Sequence, residues 1–245
     1  MDYMEYRLSR EEKVKYLLLF FLLDGVISYL FYRSVIAFLL GMTLFVYFLK
    51  EVKKNLCRKR QEELAGQFLM GMRAVSTSLT AGYSVEQSFE DALKELQLIY
   101  QKEDMIILEF QYIVNQLKMN RNLEELLLGL AARSGIDDIR NFAEIFSAAK
   151  RTGGNLIAII RNTIHSVGQK EETRKEIQTA LSSKKLEQNI MSLVPCLILI
   201  YIQMVSPGFM DGMYHNLTGI VIMTICLGIY AGAFFWGRKI VEIEV

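Results

Sequence analysis

An apolar run over residues 16–49 limits what this chain can fold into more than any other feature of its sequence. Within these 34 residues only Asp24 and Arg33 carry a charge. A single helix of that length would be about 50 Å long at about 1.5 Å per residue, whereas the hydrocarbon core of a membrane is about 30 Å thick. The run therefore predicts two shorter membrane-spanning helices, roughly 16–32 and 34–49, that turn near Arg33.

Two further apolar segments, residues 190–206 and 218–237, also have the length and composition of membrane spans. Basic residues flank the outer ends of both span pairs, whereas the connecting loop 207–217 contains no Lys or Arg. Because basic residues mark the cytoplasmic side, this pattern predicts a multi-pass membrane protein with four spans. Its N-terminal segment 1–15 and its tail 238–245 are both expected in the cytoplasm.

Charge is concentrated between the two span pairs. Residues 50–189 hold 21 of the 28 Lys and Arg and 19 of the 27 Asp and Glu, and they contain no proline. The net charge of +1 excludes a nucleic-acid-binding protein that relies on bulk positive charge. The missing prolines favour long uninterrupted helices, since proline breaks a helix interior.

Helical spacing of apolar residues continues through the whole central region. Ser84 with Gln87 forms a capping-box pattern that begins one helix. A second N-cap is expected at Asn122, and Gly135 is expected to end the helix that follows it. The mostly charged segment 169–188 predicts a stalk helix that leads into the third span. The predicted fold is an all-α membrane protein: four transmembrane helices in two hairpins around a cytoplasmic antiparallel six-helix bundle, which with its stalk occupies residues 50–189.

The sequence contains no recognisable catalytic, cofactor or metal pattern. Residues 151–155 (RTGGN) lack the spacing of a nucleotide-binding loop, and a helix end followed by an Asn N-cap explains them better. His165 and His215 fall on opposite sides of the membrane in the predicted topology, so they cannot share a metal ion. Three cysteines without C-x-x-C spacing are expected to be free thiols. We therefore expect no enzyme, no cofactor, no metal site and no nucleic-acid partner.

Four positions inside the predicted spans stand out. Asp24 is an isolated acid, for which a helix irregularity or a polar contact between helices is a commoner explanation than a proton relay. Pro195 is expected to kink the third span. Gly228 and Gly232 form a small-x-x-x-small pattern for helix packing, either within the chain or between copies.

Two stretches resemble the type II secretion F family, the polytopic platform proteins of secretion systems and type IV pili. Residues 78–89 (SLTAGYSVEQSF) resemble the family's L-x-A-G-x-S-x-x-Q-A turn and helix. Residues 142–156 (FAEIFSAAKRTGGNL) resemble its A-x-x-T-G-G-x-L helix junction. The resemblance covers roughly residues 64–205, although Ser88 stands where Ala is commoner.

Larger members of that family carry two copies of the helical domain, whereas this chain has one. One domain between two span pairs is similar to the short Tad-type platform proteins (TadB- or TadC-like) of tight-adherence, or Flp, pili. The resemblance implies that the protein pairs with a sister platform protein, contacts pilin and receives motion from a cytoplasmic secretion ATPase. It also implies a homo- or hetero-oligomer, because a single-domain chain needs a second copy.

The candidate partner-binding positions are those of the two motifs, together with the stalk 169–188. They are Gly82, Ser84, Glu86, Lys150, Arg151, Gly153, Gly154 and Asn155. The alternative for each is that it only shapes a helix end. The alternative function is a membrane transporter or channel component with a cytoplasmic helical domain. That function would require several polar residues along a pathway, for which only Asp24 and a few Ser, Thr and Gln are available.

Overall fold

The computed structural model describes residues 3–4, 6, 8–152, 156–206, 208–209, 211–214 and 216–241. Nearly all of these residues are helical and none of them lies in a strand, which confirms the all-helical prediction. The helices are α1 (Arg10–Phe31), α2 (Val35–Gly41), a 3₁₀ turn (Met42–Leu44), α3 (Phe45–Thr80), α4 (Val85–Ile99), α5 (Met105–Lys118), α6 (Leu123–Ser134), α7 (Asp137–Thr152), α8 (Leu156–Val205), α9 (Asp211–Tyr214) and α10 (Leu217–Val241).

The chain divides into two compact units. We call residues 1–7 and 53–173 the helical domain, and residues 8–52 and 174–245 the span unit. Two helices, α3 and α8, contribute residues to both units. The sequence offered no helix stop in 50–63, which contains neither glycine nor proline, so α3 is one helix across the boundary expected near residue 50.

The helical domain is built from amphipathic helices whose apolar stripes form one core. Phe89 of α4 stacks against Phe110 of α5 with ring centroids 5.6 Å apart. Phe68 of α3 meets Phe142 of α7 edge-on at 5.7 Å. The Phe110 ring packs directly against Gly71 of α3, and a Cβ added at Gly71 would be only 2.5 Å from the Phe110 Cζ. The core thus joins α3, α4, α5 and α7 through aromatic contacts.

Local capping agrees with the sequence at several helix ends. Ser84 is the N-cap of α4, and its hydroxyl accepts a hydrogen bond from the Gln87 backbone N–H at 3.2 Å. Asn122 occupies the N-cap of α6, but its side chain makes no capping hydrogen bond. Gly135 ends α6 in the left-handed region at φ 65°, which a residue without Cβ adopts without strain.

The N-terminal segment supplies a core residue that the sequence did not predict. Tyr3 is fully buried in the helical domain. Its backbone N–H donates to the Arg133 carbonyl at 3.0 Å, and the Cys57 thiol donates to the Tyr3 carbonyl at 3.3 Å. Tyr3, which the sequence placed only in a cytoplasmic extension, is therefore part of the core of this domain.

The span unit contains the first break predicted from the sequence. Helix α1 ends at Phe31 and α2 begins at Val35, with Arg33 between them at φ 45°. The second expected span is less regular than predicted, because α2 has only seven residues and a 3₁₀ turn precedes α3. Beside this irregularity, the Asp24 carboxylate lies directly against the Cα of Gly41, where a Cβ would collide with it.

A small buried core holds the remaining part of the span unit together. It consists of Leu30, Phe31, Tyr214 and Met223. The Tyr214 hydroxyl donates to the Leu30 carbonyl and accepts from the Gln203 side-chain amide, both at 2.8 Å. The buried Tyr214 hydroxyl is therefore fully hydrogen-bonded, as donor and as acceptor.

Within the described residues, four helical stretches are long and apolar enough to cross a membrane. They are Arg10–Phe31, Val35–Thr80, Ile157–Val205 and Thr218–Ile240. Many of their large apolar side chains are exposed, as at Leu22, Val35 and Ile229. Exposed apolar side chains along a whole helix are typical of a surface that contacts lipid or another apolar helix.

Candidate functional site

The first motif forms the turn between α3 and α4. Gly82 has φ 92° and open space where a Cβ would stand, so this position requires a left-handed backbone rather than a small side chain. Ser84 caps α4, and Glu86 lies exposed in its first turn. A carboxylate there complements the positive end of the helix dipole. Next to them, Tyr83 exposes 55% of its surface.

The second motif ends α7, and only part of it is described. Lys150 places its ammonium 3.0 Å from the Glu124 carboxylate of α6. The Arg151 Nε donates to the Ser147 carbonyl of its own helix at 3.3 Å. The other three motif residues, Gly153, Gly154 and Asn155, lie outside the described residues.

The surroundings of Glu124 lower the pKa of its carboxyl group. Burial on its own raises the pKa of Glu124, but its own backbone N–H and the Lys150 ammonium favour the carboxylate and leave the pKa below its ordinary value. Glu124 lies in the first turn of α6, where a negative charge is stabilised by the helix dipole. Lys150 thereby ties the end of α7 to the beginning of α6.

The described parts of the two motifs make no contact with each other through hydrogen bonds or ion pairs. Each works locally, the first as a helix cap and the second as a link between α6 and α7. What remains accessible to a partner is therefore the exposed part of each, such as Glu86 and the Arg151 guanidinium. The charged segment 169–188 is helical throughout, and Lys170 at its beginning pairs with Asp138 of α7 at 2.8 Å.

Three predicted packing positions lie in the long apolar helices. Helix α8 continues through Pro195 without interruption, so the expected kink stays a prediction. A Cβ built at Gly228 or Gly232 would meet no described atom within 4 Å. The described residues of this chain therefore leave the face of α10 that carries both glycines open.

Sequence reasoning missed a polar groove in the helical domain, between α3 and the first part of α8. We call it the basic groove and define it by Arg73 and Ser76 of α3 and Arg161, His165, Gly168 and Glu172 of α8. These residues line a cavity of about 320 Å³. Its signal in the sequence is the spacing of Arg161, His165 and Glu172, which share one helix face at i, i+4 and i+11. The spacing alone cannot predict a groove, because the groove also requires that α3 packs beside α8.

Comparison with known families identifies the architecture. A model of the family described as type II secretion system (T2SS), protein F, matches residues 72–204, which is more than half of the chain. The match begins in the last quarter of α3, covers α4 to α7 and ends one residue before the end of α8. No curated protein and no solved structure matches the chain.

Proposed function

Because the chain belongs to the type II secretion system protein F family, we propose that it is the inner-membrane platform protein of a tight-adherence or similar type IV-like pilus. Platform proteins of this family work with secretion ATPases and pilins in membrane complexes. The observation that carries the proposal is the family match over residues 72–204. The match includes residues 72–173 of the helical domain and most of the third apolar segment, which supports the combination of a cytoplasmic body and membrane spans that a platform requires.

The proposed topology follows from basic residues and apolar helices together. Four stretches can cross a membrane, and family membership indicates a multi-pass protein of the inner membrane. Lys and Arg flank the ends that lead into the helical domain and both termini, which favours a cytoplasmic domain and cytoplasmic termini. In this arrangement α1 and the helix through α2 and α3 form one hairpin, and α8 with α10 forms the other.

We place the coupling surface on the exposed ends of the two motifs. Glu86 and Arg151 are both exposed at helix ends, at the start of α4 and the end of α7. An Arg guanidinium can bind a partner carboxylate with two parallel hydrogen bonds. The partner there is a cytoplasmic secretion ATPase. A second copy or a sister platform protein supplies the second helical domain, and pilin helices pack against the apolar helices.

The proposed protein is a scaffold that transmits motion rather than an enzyme. In the described part of the motifs, Ser84 caps a helix and Lys150 forms an ion pair, and we find among these described groups no nucleophile–base pair of the kind that catalysis needs. We expect the purified protein to hydrolyse no ATP by itself and to leave the ATPase active when both are mixed.

Co-purification from the native cell tests this function. Full-length protein tagged at either end is expected to recover the secretion ATPase and a second platform protein, and deletion of the gene is expected to abolish pili. Arg151→Glu should reduce ATPase recovery, while Lys102→Glu should not, because Lys102 is an exposed residue in the turn that follows α4, at the end opposite the first motif. Ion flux into liposomes that depends on Asp24 would instead support the transporter or channel alternative.

A further inference from the structure

We propose that the basic groove between α3 and α8 is a docking site for an acidic segment of a partner protein in the secretion complex. The inference rests on the proposed function only in assuming that such a complex exists. The groove shares no residue with either sequence motif, since its residues come from the last turns of α3 before residue 78 and from the first part of α8 after residue 156.

Unpaired positive charge is the main observation. Among the described residues, no carboxylate forms an ion pair with Arg73 or Arg161, although pairs of this kind occur elsewhere in the domain, such as Lys118 with Glu90 at 3.1 Å. Both arginines and His165 are exposed and line the same cavity. Two guanidinium groups and an imidazole that face one groove form a donor-rich wall that suits carboxylates.

A glycine of α8, Gly168, leaves room for the Arg73 side chain. The Arg73 guanidinium lies across Gly168, where a Cβ would be 2.8 Å from its Nη2 atom. Gly168 therefore lets a cation from α3 lie close to α8 in the middle of the groove. This close approach fixes Arg73 without an acidic partner from the described part of the chain.

The dimensions of the groove favour a segment over a small anion. Arg161 and Glu172 mark its two ends on α8, eleven residues apart, which corresponds to about 16 Å along a helix. A phosphate group would occupy only the cationic end, whereas a helix of three turns or a short extended segment would fill the whole length. The buried side chain of Ile164 forms part of the floor.

The charges also give the bound segment a direction. Along α8, Arg161 and His165 lie towards one end of the groove and Glu172 lies at the other, with the Arg73 guanidinium across Gly168 between them. A partner segment with acidic residues followed, about three helical turns away, by a basic residue matches this order. Charge complementarity of this kind selects the partner and its orientation more than it adds affinity.

Binding of the secretion ATPase to the full-length protein in lipid nanodiscs tests the proposal. The double variant Arg73→Glu/Arg161→Glu is expected to weaken binding at least 100-fold. The matched control Arg121→Glu/Arg140→Glu changes the net charge by the same amount at exposed sites outside the groove, and it should change binding less than threefold. Equal losses in both variants would overturn the groove, while the ATPase would still be a partner.

A milder variant separates docking from folding. Gly168→Ala should displace the Arg73 guanidinium and weaken binding several-fold, while the helix itself gains stability because alanine is a better helix former than glycine. An unchanged affinity, or a loss of affinity that follows a loss of thermal stability, would contradict the proposed role of Arg73.

A probe independent of the ATPase keeps the two proposals distinguishable. A synthetic helical peptide with glutamates in its first turns and a lysine three turns later is expected to bind the wild type and the matched control, but not the double variant. If the peptide binds in this way and the ATPase does not, the groove is a docking site for an acidic segment and the proposed coupling partner is wrong. If inorganic phosphate binds the groove and the peptide does not, the site is a small-anion site and the proposal fails.

Discussion

The Tyr3 hydroxyl donates a 2.9 Å hydrogen bond to Oε1 of Glu109, which lies 106 residues further along the chain. The second carboxylate oxygen accepts from Arg133 Nη2 at 2.6 Å, and the Arg60 guanidinium lies 4.9 Å from the centre of the Tyr3 ring. Burial, the nearby Glu109 charge and the hydrogen bond raise the pKa of Tyr3 well above its ordinary value, against the opposing effect of Arg60 and Arg133. The phenol is thus held neutral as a donor that fastens the N-terminal segment to α5.

Removing only the Tyr3 hydroxyl should destabilise the helical domain less than removing the whole side chain beyond Cβ. Tyr3→Phe keeps the buried ring but loses a hydrogen bond to a charged acceptor, and we expect a loss of about 1.5–3 kcal/mol in the free energy of unfolding of the helical domain. Tyr3→Ala leaves a cavity as well, and we expect about 3–5 kcal/mol. Denaturant unfolding of the full-length protein in detergent measures both. Unchanged stability in Tyr3→Phe would show that the hydroxyl contributes nothing, and equal losses in the two variants would show that the buried ring contributes nothing.

The Glu109–Arg133 pair should respond differently to loss of either partner. The Glu109 side chain is only 6% exposed, whereas that of Arg133 is 32% exposed. Arg133→Met leaves a buried carboxylate without its cation, for which we expect a loss of about 2–4 kcal/mol. Glu109→Gln removes the buried charge and still accepts from Tyr3, so its loss should be smaller. The reverse order in thermal unfolding would contradict the assignment of Glu109 as the buried charge.

Two glycines of α3 offer a matched pair of substitutions. At Gly71 an added Cβ would be 2.5 Å from Phe110 Cζ and 3.2 Å from Leu96 Cδ1, whereas at Gly66 no atom lies within 4 Å. Overpacking costs about 1–3 kcal/mol, while alanine in a helix interior gains about 0.8–1 kcal/mol over glycine. Gly71→Ala should therefore lower the melting temperature and Gly66→Ala should raise it. A shift in the same direction for both would mean that α3 does not pack on Phe110 as described.

The elements that the sequence predicted well are those encoded by neighbouring residues. Ser84 and Gln87 are three positions apart, and the sequence predicted the start of α4 from them. Gly135 marked the end of α6, and the break near Arg33 followed from the length of the apolar run. In each case the signal lies within one or two helical turns, where capping and backbone conformation are decided.

Features that depend on distant packing were missed for a physical reason. Tyr3 belongs to no helical stripe, so its burial follows only from contacts with Glu109 and Arg133. The basic groove requires α3 and α8 to lie side by side, which periodicity cannot specify. The domain boundary expected near residue 50 stays a prediction. Helix α3 continues through that position, because helix formers without glycine or proline give no stop signal.

The first motif can be tested through its cap. Ser84→Ala removes the acceptor for the Gln87 N–H, and we expect α4 to lose about 1 kcal/mol of stability. Hydrogen exchange of the full-length protein should show faster exchange in the first turn of α4, and Ser84→Asp should restore protection because aspartate also caps helices. If Ser84→Ala abolishes pili while exchange is unchanged, the hydroxyl contacts a partner instead.

The Lys150–Glu124 pair should make stability depend on pH in a defined direction. The pKa of Glu124 is lowered in the folded domain, so its ionised form stabilises the fold above the unfolded value of about 4.3, and this contribution is lost as the pH falls through the folded pKa. Lys150→Met should therefore cost about 0.2–1 kcal/mol near pH 7, as expected for a partly exposed pair, and progressively less under acid. Lys102→Met, at an exposed lysine for which the structure describes no ion pair, is the control and should show no such trend. If the stability lost in Lys150→Met instead grows as the pH falls, Lys150 does not lower the pKa of Glu124.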